Sequence, residues 1–167
     1  MLRMSKLTDY GTVVMTSMAQ APDRIHSAAN LAAETELALP TVTKVLKMLA
    51  RKRLLVSVRG AKGGYMLARA PREISLAQVI SAMEGPIGVT ECGSTPGLCL
   101  QESGCSVRTN WQRINRMVLQ ALDRITLERM AQPIGRTLNT IAIAMPAARK
   151  PLQGAGPAAS GTAGAES

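Results

Sequence analysis

Every thiol in the chain falls between positions 92 and 105, as Cys92, Cys99 and Cys105 in the stretch ECGSTPGLCLQESGC. A tetrahedral metal site wants four ligands and a disulfide framework wants an even number of cysteines, so three clustered thiols pose the question of a fourth group. The Cys-x6-Cys-x5-Cys spacing contains no C-x-x-C pair. That argues against the paired knuckles of structural zinc sites and against a dithiol redox motif. Three thiolates on a wide loop rich in Gly, Pro, Ser and Thr suit an iron–sulfur cluster, [2Fe–2S] or [4Fe–4S], which tolerates one non-thiolate ligand. The single histidine, His26, is far away in sequence and reads as a surface or packing residue. Arg108 follows Cys105 closely but is permanently protonated and cannot ligate. The remaining candidates are carboxylates: Asp9, Glu91 and Glu102. The plainer alternatives are unmetallated loop thiols or a zinc-stabilised module. A cysteine redox enzyme is the alternative from another class, although no base stands near the thiols in sequence. The glycine-rich GAKGG at 60–64 lacks the strand-before, helix-after context of a nucleotide site. No catalytic constellation is visible, and the expectation is a protein that is not an enzyme.

Charge points to a partner. The chain of 167 residues carries a formal net charge of +9. Residues 1–72 hold 12 basic side chains against 4 acidic ones, and from Lys44 to Arg72 there are nine basic residues and no acidic one. So one-sided a block favours a polyanion such as double-stranded DNA over a merely solvated basic face. The start of the chain lacks the apolar core of a secretory signal, and no run approaches the roughly 18 apolar residues of a membrane helix. The chain therefore reads as cytoplasmic and not membrane-bound. Thiols stay reduced in that compartment, which favours metal or redox chemistry at the cysteines over a structural bridge.

The elements that would carry these groups follow from periodicity. Aromatic residues are 2% of the chain and Phe is absent, so Met, Leu, Ile, Val and Ala must build the core, most readily between helices. Residues 5–20 predict a helix capped by Ser5, with Leu7, Tyr10, Val14 and Met18 on one face. A second helix spans roughly 27–36 with Ser27 as its cap. A third begins at Pro40, buries Val42, Val45, Leu46 and Leu49, and turns Thr41, Thr43, Lys44, Lys47 and Arg51 outward. Two helices joined by a tight turn, the second with a polar and basic outer face, form a helix-turn-helix. The stretch LLVSVRGAKGGYMLAR at 54–69 then reads as a β-hairpin, a wing whose tip brings Arg59 and Lys62 to phosphates or to a minor groove. Ser75 caps a further helix bearing Leu76, Val79, Ile80 and Met83, ended by Gly85 and Pro86. After the cysteine loop, a helix over 109–126 carries Trp111, Ile114, Val118, Leu122 and Ile125 at three- and four-residue steps. That stripe reads as a dimerisation face, with an ordinary core helix as the alternative. One more short helix can form in TLERMAQPIG. The fold class is thus mainly α: a winged helix-turn-helix over 1–85, a cluster loop over 86–108, a dimerisation helix and C-terminal helical segment over 109–145, and a disordered tail over 146–167.

These motifs also resemble a known family. KLTDYGTVVM, SVRGAKGGYMLAR, ISLAQVISAMEGP, the three-cysteine loop and NWQRINRMVLQALDRITL, in that order over about residues 1–130, are similar to the IscR/NsrR type of bacterial winged-helix iron–sulfur regulator. The pattern of LTDYGTVV, AQAPDRIHSAANLA and PTVTKVLK looks closest to the branch that regulates the SUF cluster-assembly operon. The resemblance implies a homodimer with two DNA-binding heads and a near-palindromic operator, with Cys92, Cys99 and Cys105 as cluster ligands. Part of the family has a histidine soon after the third cysteine, where this chain has Arg108. The TDYG match to the nitric-oxide-sensing branch suggests Asp9 of the partner subunit as the fourth ligand. The function implied is a regulator, most simply a repressor, of SUF genes that senses cluster status, with a nitric-oxide-sensing repressor as its near alternative.

Overall fold

The computed structural model describes residues 4–90, 97, 99–100 and 103–132. All of them lie within one unit, Met1–Arg136. Cys92, Glu91, Glu102 and the segment 133–167, which contains the expected tail, lie outside the described residues.

The N-terminal helix α1 (Lys6–Gln20) starts where Ser5 accepts the Thr8 N–H, and Asp9 in its first turn complements the positive end of the helix dipole. Its inward face is broader than the periodicity predicted, because Thr8, Gly11 and Met15 are buried beside Val14 and Met18. Gly11 has a specific reason: a Cβ there would stand 3.1 Å from Met83 Cγ. A larger residue there would have to displace the Met83 side chain, so the glycine eases the close approach of α1 to the helix that carries Met83. Helix α2 (Ala28–Thr35) is capped by Ser27 as expected, but it ends one residue early, with Glu36 turning into the left-handed region at φ 56°. Helix α3 (Leu39–Arg51) begins one residue before Pro40, which takes a first-turn position where its missing N–H costs nothing.

Strands β1 (Leu55–Val58) and β2 (Gly64–Leu67) pair antiparallel, with Leu55 opposite Leu67 and Val58 opposite Gly64. A single-turn 3-10 helix, Pro71–Glu73, leads to α4 (Leu76–Glu84). A full capping box between Ser75 and Gln78 starts α4, and Gly85 at φ 93° stops it. Helices α5 (Arg108–Asp123) and α6 (Leu127–Ala131) complete the elements among the described residues.

The core is the aliphatic and methionine cluster that the composition demanded. Met15, Met18, Leu31, Leu46, Leu49, Ile74, Val79 and Leu127 are fully buried in it. Leu127 ties α6 back against α1 and the 3-10 turn, so the end of the described chain belongs to the same core as the helix-turn-helix. The architecture is mainly α, a helix-turn-helix (α2–α3) followed by a two-stranded wing.

The helix expected over 109–126 ends at Asp123 instead. Thr126 takes an extended conformation and caps α6 by accepting the Arg129 N–H, which a continuing helix would forbid. Ile125 therefore leaves the stripe, and its carbonyl accepts the Leu76 N–H at 2.7 Å.

Candidate DNA-reading head and cysteine loop

Helix α3 separates its two faces cleanly. Val42, Val45, Leu46 and Leu49 are buried, while Lys44, Lys47 and Arg51 are exposed on the opposite side. Thr41 and Thr43 are half-buried. The Thr43 hydroxyl donates to the Leu39 carbonyl at 2.8 Å, a bond that leaves its oxygen available as an acceptor. No ion pair among the described residues engages Lys44, Lys47, Arg51, Arg59 or Lys62, and the one pair present, Arg24–Glu34, belongs to the α1–α2 turn and α2. Uncompensated cations on one helix face suit the regular spacing of phosphates beside a groove.

The wing tip is shaped by glycine. Gly60 sits at φ 120°, and the Gly63 N–H donates to the Gly60 carbonyl at 2.9 Å. A side chain at Gly63 would collide with the Val58 carbonyl. Arg59 and Lys62 are both exposed at this tip. The root of the wing is fixed by His26, which trades two backbone bonds with Tyr65, each 2.9 Å. Gly64 is required there, since a Cβ would strike the His26 carbonyl. The His26 ring is buried and bonds the Ala21 carbonyl through Nε2, so this histidine is a packing residue. The wing is thereby pinned to the turn between α1 and α2 as well as to the end of α3.

The cysteine loop leaves α4 at Gly85 and enters α5 at Arg108. Cys99 and Cys105 are half-buried free thiols, and the Cys105 carbonyl accepts the Arg108 N–H at the start of α5. Two reduced, partly accessible thiols fit a thiolate-bound cluster as a donor set, with Cys92 as the third in sequence. No group of three potential ligands comes together among the described residues. Asp9 is exposed on the outer face of α1.

Polar anchors that the periodicity could not reveal hold the helices on either side of this loop. At the end of α4, Glu84 Oε1 accepts both the Thr8 hydroxyl and the Ser5 N–H at 2.6 Å. The Thr8 bond above all, then the Ser5 bond, lowers the Glu84 carboxyl below its ordinary range. At the start of α4, Ser75 donates to Asp123 Oδ1 at 2.7 Å, stapling the end of α5. In the middle of α5, Asn115 is the one buried side chain of that helix and reaches the loop. Of the predicted stripe, Val118 and Leu122 are half-buried, while Trp111 and Ile114, with Met117 beside them, stand at 36%, 42% and 47% exposure.

Residues 4–133 match the family model described as Rrf2, an iron-dependent transcriptional regulator. The chain belongs to the Rrf2 family. It is 28% identical over 131 residues to the HTH-type transcriptional regulator IscR of Pectobacterium carotovorum, a match covering 75% of this chain and 78% of that one. Among solved structures it is similar to CymR, the global cysteine regulator of B. subtilis, with a TM-score of 0.65 at 30% identity, covering 78% of this chain and 97% of that one. It is also similar to T. potens IscR, with a TM-score of 0.59 at 28% identity, covering 77% and 85%. Both show the same mainly helical winged fold. Family membership makes this chain a DNA-binding transcriptional regulator rather than an enzyme, and among its described residues no helix is long and apolar enough to cross a membrane.

Proposed function

We propose that this Rrf2 chain acts in the cytoplasm as a homodimeric repressor of SUF-type iron–sulfur assembly genes, controlled by a cluster held by Cys92, Cys99 and Cys105. The carrying observation is the pair of free, half-buried thiols, Cys99 and Cys105, directly ahead of α5. Asp9 of the partner subunit is the proposed fourth ligand, and its exposure on α1 leaves it able to reach a second chain. The open stripe of Trp111, Ile114 and Met117 supports α5 as the dimer contact. Lys44, Lys47 and Arg51 with Thr41 and Thr43 would face a major groove, with Arg59 and Lys62 at the flanking backbone. A two-fold dimer then reads a near-palindromic operator.

When bound, an iron–sulfur cluster supplies an iron-dependent centre that is labile to oxidants. The chain's own residues would carry the change to DNA. Ligation by the thiols would fix the position of the cysteine loop against α4, and α4 packs on both α1 and α3. A shift in the loop thus biases two arrangements of the reading heads.

Anaerobic purification with an absorption spectrum and iron, sulfide and zinc analysis tests this. Brown protein with matched iron and sulfide is expected, and loss of Cys99 or Cys105 should bleach it. Colourless protein that takes up no iron on reconstitution would refute the sensing mechanism. Spectral change on nitric oxide, with operators elsewhere than SUF genes, would instead select the nitric-oxide-sensing reading.

A further inference from the structure

The only buried side chain on α5 is polar. Asn115 is 4% exposed on a helix whose apolar residues Trp111, Ile114 and Met117 stand open. Its carboxamide makes two bonds to one stretch of backbone: Oδ1 accepts the Val89 N–H at 3.1 Å, and Nδ2 donates to the Ile87 carbonyl at 3.4 Å. One planar amide thus closes on an N–H and a C=O two residues apart, as a neighbouring strand would. Burying an amide is unfavourable unless both its donor and its acceptor are used, so this clamp holds only with the loop in one register.

We infer that Asn115 is the positioning residue of the cysteine loop. It docks segment 87–89 on the middle of α5 and so fixes where the chain begins its run to Cys92, relative to Cys105 at the head of the same helix. The inference rests on the proposed reading that these thiols hold a metal centre. Three features favour it over a general packing role. These two bonds go to residues 87 and 89, just after α4, and not to the core. Glu84 already anchors the last turn of α4, immediately before the loop, to α1. Ser75–Asp123 already staples the other end of α5, so α5 does not need Asn115 to stay attached. What Asn115 adds is the position of the loop along the helix. A ligand set placed in advance loses less conformational freedom on binding.

The test uses the full chain, reduced and metal-free under nitrogen, titrated with Co(II) as the probe. Thiolate-to-cobalt charge-transfer absorbance reports binding, and a competing chelator gives the affinity. Asn115→Asp keeps an acceptor for Val89 but removes the donor to Ile87. Asn115→Ala removes both. The expected order of affinity is wild type, then Asp, then Ala, with Ala weaker by about 10- to 100-fold, the range seen when groups that orient metal ligands are lost. Amide exchange at Val89 should accelerate in the Ala variant and much less in the Asp variant. The thermal unfolding midpoint serves as the structural readout, and affinity is compared between folded proteins. Folded variants that bind Co(II) as tightly as wild type would overturn the inference and leave the metal reading standing. If Asn115→Ala fails to fold, a folded Asn115→Asp that binds Co(II) as tightly as wild type overturns it equally. Wild-type protein without thiolate–cobalt absorbance would remove the metal reading itself.

Discussion

Replacing Lys47 with Ala is the most direct probe of the reading head. Lys47 projects from the exposed face of α3, and among the described residues no carboxylate pairs with it, so its removal breaks no ion pair there. The buried neighbours Val45, Leu46 and Leu49 stay in place, and Ala favours the helix. If Lys47 neutralises one phosphate, its loss lowers the slope of log affinity against log salt by about 0.9 per subunit. A two-fold dimer carries two copies, so the slope should fall by about 1.8. Between about 50 and 200 mM salt the variant then loses roughly tenfold less affinity than the parent, having begun weaker at low salt. Fluorescence anisotropy on one operator duplex across a salt series measures this, with a melting curve to show that the fold is intact. An unchanged slope would refute the placement of Lys47 at the backbone. A fall of about 0.9 would mean that a single subunit binds, contradicting the dimer.

Three further outcomes follow from other parts of the molecule. Trp111→Glu should convert the dimer to monomer in sedimentation velocity without lowering the thermal midpoint of the subunit, because the ring is not part of the core; a stable dimer would place the contact elsewhere. Leu127→Ala should cost about 2–5 kcal/mol in urea unfolding, since the side chain is fully buried, and a cost below about 1 kcal/mol would show that α6 does not dock as described. The Glu84 carboxyl is held below its ordinary value by the Thr8 hydroxyl first and the Ser5 N–H second, against the opposing effect of burial. A lowered folded-state value means its contribution is full above its ordinary 4.5 and disappears as pH falls through the lowered value. The stability gap between the parent and Glu84→Gln should therefore be present at neutral pH and close in acid, whereas a gap independent of pH would contradict it.

Local pattern made the helix-turn-helix and wing readable. Ser5, Ser27 and Ser75 each cap the helix predicted for them, because a cap involves only residues three positions apart. The apolar face of α3 follows from its 3.6-residue repeat, and the wing from the glycines at its tip. Contacts between distant positions were not readable. Glu84 meets Ser5 and Thr8, Ser75 meets Asp123, and His26 meets Tyr65 across long separations that leave no periodic trace. The apolar stripe of 109–126 was extended too far for a related reason. Ile125 fits the repeat, but Thr126 and the pairing of Leu76 with the Ile125 carbonyl pull it out of the helix. Asn115 was hidden twice over, as a polar residue on an amphipathic helix that normally faces water.

The way α5 is attached bears on what it can do. A helix held by burying its apolar stripe in its own core would have none left for a partner. Here α5 half-buries Val118, Leu119 and Leu122 where it packs on α4, and its register is set by the Ser75–Asp123 bond, the Asn115 clamp and the backbone bonds around Ile125. That leaves Trp111, Ile114 and Met117 outside the chain's own core. In the proposed dimer a second copy of the same helix would present the same three side chains and remove them from water. In that proposed arrangement the polar staples would also act as couplings, since a force on α5 from a partner would reach α4 through Ser75 and residues 87–89 through Asn115.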